Sequence, residues 1–329
     1  MGKSFYYNRQ GILSYNKLFN FIVGSRGVGK SFNMKEWCIK DFLENNAQFI
    51  YIRRYKPELR KGVKTFFNDI SKNFPNVKFK TKGYDFYING KLAGYALPLS
   101  TSDSDKSSSY PDVNKIIFDE FIIGKGSHHY LPDEVVVFLE MYETISRMRD
   151  IRVMFVSNAI SIINPYFQYF KVIPKRGSYY IRGNEWVVEM VKADEYEKAK
   201  ANTRFGQLIK DTPYGDYAIY NEFLEDNDKF IEKMTGNCVY WCTINYQGID
   251  YGVWFGKDTG YVYFGTKIDK TAKNRFCFTT KDHAPNYILL KDIKSISIIR
   301  KIREAYTISY VRFDSVKSKN VFYEAMKLI

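Results

Sequence analysis

The sequence predicts an α/β fold in two bodies, a larger one built on a mostly parallel sheet and a smaller one of α+β character. Three observations predict it. Through residues 1–202, apolar runs of strand type alternate with helically spaced segments, the pattern of a parallel sheet with helical crossovers. A glycine-rich loop, GSRGVGKS at residues 24–31, joins the first such run to the first helix. Beyond residue 237, three strand-type runs follow one another across short glycine-containing turns, as in an antiparallel meander.

Residues 18–23 (LFNFIV) form the first strand, and residues 31–45 carry Phe32, Met34, Trp37, Cys38, Phe42 and Leu43 on one helical face. Residues 48–53 (QFIYIR) are a second strand. Pro57 then opens a helix whose apolar positions Leu59, Val63, Phe66, Phe67, Ile70 and Phe74 keep helical spacing to residue 74. Residues 84–88 and 91–97 flank Asn89-Gly90, the commonest hairpin-turn pair. The polar stretch STSDSDKSSSY at 100–110 predicts an exposed loop. A buried strand, VNKIIFDE at 113–120, ends in two acids. Residues 134–148 are helical, and RVMFVS at 152–157 is a further core strand that ends at Asn158. A hairpin over 179–191 turns at Gly183-Asn184, and a charged helix near 194–202 closes the first domain, residues 1–202. Residues 203–230 are the linker and 231–329 the second domain. That domain has strands at 238–246, 249–255 and 261–265, then helical patterns from residue 292. No internal repeat is present.

A length of 329 residues favours about two domains, and 45% hydrophobic with 18% aromatic residues excludes wholesale disorder. The net charge of +14 points to a polyanionic partner, nucleic acid ahead of an acidic membrane surface. The excess is +10 across residues 1–200, −3 across 201–230 and +7 across 231–329, so an acidic connector joins two basic bodies. Cys38, Cys238, Cys242 and Cys277 make no Cys-x-x-Cys pair, and the three histidines complete no zinc pattern. Structural zinc and a disulfide framework are therefore not expected, and a reducing compartment fits. No apolar run approaches a membrane span, residues 1–6 lack a signal-peptide core, and Tyr6 stands where a myristoylation signal needs Ser or Thr. These readings predict a soluble intracellular protein with no membrane partner.

Residues 24–31 fit Gly-x-x-x-x-Gly-Lys-Ser/Thr at every fixed position, with a strand before and a helix after. Such a unit aims backbone N–H groups and the positive end of a helix at one point, which makes a phosphate site. Gly24, Gly27 and Gly29 let the backbone curl around phosphate oxygens, and Ser25, Arg26 and Val28 complete the loop. Lys30 would reach the β- and γ-phosphates and the Ser31 hydroxyl would be a Mg²⁺ ligand, so ATP and Mg²⁺ are expected. Residues 116–120 (IIFDE) have the form of a Walker B strand, in which Asp119 would hold the Mg²⁺ shell and Glu120 would polarise the attacking water. Adjacent acids of this kind point to hydrolysis.

Asn158 is a polar residue where ATPases of this kind carry a γ-phosphate sensor, and it reads equally as a loop cap. Arg147, Arg149 and Arg152 precede that strand, where an arginine can enter a neighbouring subunit's site; three in six residues also fit a solvated or nucleic-acid-facing cluster. Lys56, in RRYKPEL, is a second candidate for action in trans, and Arg26 is available to the phosphates or to a neighbour. Residues 5–10 (FYYNRQ) offer rings and amides to an adenine base, or simply pack an N-terminal arm.

Six phrases carry a resemblance that runs nearly end to end: SYNKLFNFIVGSRGVGKS (14–31), QFIYIRRYKPEL (48–59), NGKLAGYALPLS (89–100), IIFDEFI (116–122), SNAISIINPYF (157–167) and TRFGQLI (203–209). Together they resemble a genome-packaging ATPase of the phage phi29 type, a P-loop NTPase of the additional-strand Glu class related to terminase large subunits. The resemblance implies a homopentameric ring at the portal vertex of an empty capsid, driving double-stranded DNA inward in the host cytoplasm and absent from the mature virion. Its implied partners are DNA, the portal or connector protein, a packaging RNA and copies of itself. By motif match Lys30, Ser31, Asp119 and Glu120 carry the chemistry, Arg147 falls at the family's trans-acting finger and Lys56 at its trans lysine.

The family's C-terminal domain resembles a truncated RNase H-like fold, whose nuclease form needs a carboxylate on the opening strand; residues 238–246 contain none. No nuclease activity is expected, and the basic surface is left to bind DNA, RNA or portal. Motor contacts to DNA should fall on phosphates. Candidates are Lys106 in the 100–110 loop and Lys125 in GKGSHHY (124–130), each of which also reads as ordinary surface, with His128 and His129 facing solvent. Two alternatives stand beside this reading: a helicase or repair-type P-loop ATPase without a capsid, and a nucleic-acid-binding module whose nucleotide is structural.

Overall fold

Runs of largely apolar residues become strands buried on both faces, as parallel strands under helices must be. The structure, a computed structural model, describes residues 6–105, 108–123, 129–159, 161, 164–172, 179–219, 229–289 and 296–326. The chain divides into two units, residues 1–225 and 226–329. The first begins with α1 (Gln10–Leu13), β1 (Phe19–Gly24), α2 (Lys30–Asn45), β2 (Gln48–Arg53) and α3 (Lys56–Thr65). It continues through β3 (Phe79–Lys82), β4 (Asp85–Ile88), β5 (Lys91–Pro98), β6 (Val113–Asp119), α4 (Glu134–Ser146) and β7 (Arg152–Asn158). Then come α5 (Pro165–Tyr169), β8 (Tyr180–Arg182), β9 (Trp186–Met190), α6 (Asp194–Ala201), α7 (Arg204–Ile209) and α8 (Pro213–Ala218).

The sheet order is β3-β4-β5-β2-β6-β7-β1-β9-β8. The six strands from β5 to β9 pair in parallel, and antiparallel hairpins close both edges. The fold is thus α/β and mostly parallel, with β7 inserted between β1 and β6. Side chains alternate across β1: Phe19, Phe21 and Val23 join a core with Phe118, Phe138, Phe155 and Tyr166, while Ile22 joins Met34, Cys38, Ile39 and Tyr51 on the other face. Because parallel strands finish at one edge of a sheet, the ends of β1, β6 and β7 meet, with Gly24 opposite Asn158 and Asp119 opposite Val156.

The helix predicted from Pro57 to residue 74 stops at Thr65. Tight turns follow, with Phe66 N–H donating to Val63 O and Ile70 N–H to Phe67 O, then a 3₁₀ turn at Ser71–Asn73. Asn68 and Asp69 favour turns over helix, yet the three-residue spacing still buries Phe66, Phe67 and Ile70. Residues 203–219 hold α7 and α8, whose N-termini are capped by the Thr203 and Thr212 side chains accepting from Gly206 N–H and Gly215 N–H.

The second unit contains β10 (Cys238–Tyr246), β11 (Ile249–Gly256), β12 (Val262–Gly265), β13 (Arg275–Cys277), β14 (Ile288–Leu289), α9 (Ser297–Thr307), β15 (Val311–Phe313) and α10 (Val316–Met326). Its sheet runs β14-β13-β10-β11-β12-β15, with β10–β11–β12 an antiparallel meander and the other three strands added in parallel. The helical stretch predicted after residue 292 is interrupted by β15, because Val311 and Phe313 alternate into the core and pair with β12. Among the described residues no helix is long and apolar enough to cross a membrane.

Candidate nucleotide site

The loop that leaves β1 at Gly24 enters α2 at Lys30. Gly27 and Gly29 take φ of 89° and 91°, the left-handed region that disfavours any side chain, and Val28 between them is buried. The Lys30 ammonium, 5% exposed, donates to Gly24 O at 2.9 Å, Ser25 O at 2.8 Å and Asn158 Oδ1 at 3.3 Å. Burial pushes this ammonium down to about 7, against the pull of Asp119 and with help from Lys200.

Asp119, at the end of β6, accepts from Ser31 Oγ at 2.8 Å on one oxygen and from Tyr51 Oη at 2.9 Å and Arg53 Nη1 at 3.3 Å on the other. The next residue, Glu120, has φ of 58°, and its N–H donates to Val156 O at 2.7 Å. Its carboxylate faces solvent and meets Arg53 Nη2 at 2.5 Å. Burial pulls the Arg53 guanidinium down, but Asp119, Tyr51 and Glu120 together hold it well above its ordinary value. Burial, with Asp119 adjacent, drives the Tyr51 hydroxyl far up, so it stays a donor.

A cleft of about 260 Å³ opens here, lined by Arg26, Gly27, Gly29, Lys30, Ser31, Phe32, Asp119, Glu120, Val156, Ser157 and Asn158. The residues of a phosphate loop thus share one hollow with two carboxylates and an amide. Ser31 and Asp119 present hard oxygen donors side by side, a set that fits Mg²⁺, which takes one or two carboxylates and completes its shell with phosphates and water.

The structure separates the three arginines. Arg149 donates to four backbone carbonyls, Pro111 O at 2.5 Å, Val113 O at 2.9 Å, Tyr110 O at 2.7 Å and Ile145 O at 2.8 Å. Arg152 donates to Asn16 Oδ1. Arg147 caps α4 with φ of 51° and ψ of −108°, and its exposed side chain has no hydrogen-bond or ion-pair partner among the described residues. Lys56, the first residue of α3, is exposed in the same way. Neither lines the cleft of its own chain. Arg26 lines it with an exposed side chain, and its carbonyl accepts from Lys200 Nζ at 2.9 Å and Tyr196 Oη at 3.2 Å.

In the N-terminal arm, Tyr6 is exposed against Gly29. Tyr7 packs inward, donating its N–H to Val28 O and its hydroxyl to Glu189 at 2.8 Å. Phe5, Lys106, Lys125 and His128 lie outside the described residues, and His129 is exposed.

Four contributors escaped the sequence reading: Tyr51, Arg53, Tyr196 and Lys200. Arg53 and Tyr51 had a usable signal, since they sit two residues apart near the end of the strand beside the acid strand and therefore share a face. Tyr196 and Lys200 had none, because they reach the loop across some 170 residues of chain.

The profile of the family described as Podovirus DNA encapsidation protein (Gp16) matches residues 1–329. The DNA packaging protein of Bacillus phage phi29 is 40% identical over 328 residues, covering 99% of this chain and 98% of that one. A chain of the bacteriophage phi29 viral genome packaging motor assembly superposes with a TM-score of 0.78 at 38% identity, over 99% of both chains. The crystallised N-terminal domain of the phi29 DNA packaging ATPase matches 59% of this chain and 100% of its own length, with a TM-score of 0.55 and 43% identity. By profile, by sequence and by structure, this chain belongs to the family of podovirus DNA encapsidation proteins.

Proposed function

We propose that this chain is the ATP-hydrolysing subunit of a motor that moves double-stranded DNA through the portal vertex into a preformed capsid. The observation that carries the reading is the meeting of Lys30, Ser31, Asp119, Glu120 and Asn158 in one cleft at the edge of one parallel sheet. Membership of a family whose relatives are DNA packaging proteins supports the purpose.

Backbone N–H groups of residues 24–31 and the Lys30 ammonium would bind the triphosphate tail. Lys30 is now held by the loop's own carbonyls, and phosphate oxygens, being charged, are the stronger acceptors. Ser31 and Asp119 would hold Mg²⁺, which when bound would supply charge neutralisation to the phosphates. Glu120 would accept a hydrogen bond from the attacking water; it must first part from Arg53, which engages that carboxylate here. The closeness of Asn158 to Lys30 supports a γ-phosphate sensor. The outward side chains of Arg147 and Lys56 support roles at the site of an adjacent copy, so the working form is a ring, a pentamer by family likeness. A net charge of +14 suits contacts to nucleic-acid phosphates, through Lys106 and Lys125 for DNA and with a packaging RNA as further partner. The action belongs in the host cell at the procapsid, and β10, which carries no carboxylate, supports no nuclease step.

Glu120→Gln tests the reading. ATP turnover should fall by about 10²–10⁴, the share a positioned acid–base group contributes, with nucleotide still bound. Unchanged turnover would overturn it.

A further inference from the structure

Strand β2 ends at Arg53, and Arg54 follows it directly with its side chain on the opposite side. Arg53 reaches the side chains of Asp119 and Glu120. Arg54 is turned the other way and is 3% exposed. Its Nε and Nη2 grip both oxygens of Glu134, at 2.7 and 2.8 Å, in a forked pair. Two donors remain directed at backbone: Nη1 meets Glu120 O at 3.1 Å and Nη2 meets Phe121 O at 2.7 Å. Glu134, itself buried, also accepts from Tyr166 Oη at 2.9 Å and Leu131 N–H at 2.9 Å. The ring of Tyr130 covers the guanidinium at 4.9 Å.

We propose that Arg54 is a positioning residue for Glu120: paired with Glu134, its guanidinium pins the peptide carbonyls of Glu120 and Phe121 and so holds the left-handed backbone from which the Glu120 carboxylate projects. The inference rests on the reading of Glu120 as the group that orients water. A non-glycine residue at φ of 58° returns to the extended region unless its surroundings fix it. Here the fixing groups are Val156 O on the N–H side and Arg54 on the carbonyl side. A lone ion pair between Arg54 and Glu134 would need neither carbonyl. Lysine cannot replace the fork, since one ammonium cannot span a carboxylate and two carbonyls in fixed directions. The cluster also binds Leu131 and Tyr166, so the backbone of Glu120 is coupled to the segment returning into α4 and to α5 beyond Asn158.

Single-turnover hydrolysis by the full chain, with protein in excess over ATP, separates positioning from folding. Intact sites (the amplitude) are counted by the binding stoichiometry of a non-hydrolysable analogue, and the rate reports the geometry of the reacting group. For Arg54→Lys the amplitude should stay near that of the parent while the rate falls about a hundredfold, the effect of displacing a reacting group by roughly 1 Å. Binding of a non-hydrolysable ATP analogue should change by less than about twofold, since no ground-state contact is lost. Glu134→Gln keeps the shape and an acceptor oxygen but removes the counter-charge, and should slow the rate in the same sense with full amplitude. A rate within about twofold of the parent for Arg54→Lys, or a loss confined to amplitude, overturns the proposal. Where Arg54→Lys yields no folded protein, Glu134→Gln decides by the same two readouts. Glu120→Gln runs alongside: if it hydrolyses at full rate, the reading of Glu120 fails, whereas its loss beside an unaffected Arg54→Lys sinks only the role of Arg54.

Discussion

Lys30 is itself buried among carbonyl oxygens, and burial lowers its ammonium from 10.5 to about 7. A bound triphosphate favours the protonated form, so above pH 7 nucleotide binding must draw in a proton and affinity must fall as pH rises. Calorimetric titration at pH 8 in buffers of different ionisation heat should reveal uptake of about one proton per nucleotide, and a value near zero would contradict this. The stability effect has the opposite slope. Between about pH 7 and 10.5 the unfolded chain holds more protons at this lysine than the folded one, so this group makes the nucleotide-free protein more stable as pH rises through that window. The neighbouring arginines divide just as sharply. Arg149→Ala leaves four backbone carbonyls short of a donor and should lower unfolding free energy by about 1–3 kcal/mol, read as a depressed Tm. Arg147→Ala removes no side-chain hydrogen bond or ion pair among the described residues and should leave Tm in place, while turnover in the assembled ring falls by about 10³ or more.

The element that brings the cleft together is β7, which lies between the loop strand β1 and the acid strand β6. Phe155 at its centre is wholly buried, stacks on Phe21 at 4.4 Å and meets Phe138 at 4.9 Å and Tyr166 at 5.3 Å. Phe155→Ala should therefore destabilise the first unit by about 3–5 kcal/mol, measurable by denaturant unfolding. Much of this scale was legible in the sequence. The loop pattern, the two acids at a strand end and the Asn89-Gly90 turn each follow from local chemistry, so each could be read before any tertiary contact was known. The end of α3 could not, because Phe66, Phe67 and Ile70 satisfy helical spacing and tight-turn spacing alike. β3 exposes half of every pair of residues and β15 spans three residues, so neither carries enough apolar periodicity to announce itself. The site was legible to the same depth: Lys30, Ser31, Asp119 and Glu120 stand in motifs, whereas Arg54 and Glu134 meet across 80 residues through folding alone.

At the scale of the molecule, an excess of 14 positive charges accompanies the cleft in the first unit, a pairing that suits the proposed use of ATP on a polyanion. Duplex binding should weaken linearly in log K against log salt and show little dependence on sequence, as phosphate contacts dictate; a strong preference for one sequence or for single strands would favour the helicase or repair alternative. On the proposed function, hydrolysis at this cleft drives DNA into a capsid. Its most direct test is protection of DNA from nuclease in a complete reconstituted system of empty capsids, DNA, ATP and either the parent chain or Glu120→Gln. Full-length protected DNA is expected with the parent chain and ATP, and none when ATP is withheld or Glu120 is replaced. Equal protection with Glu120→Gln, or none with the parent chain, would contradict it.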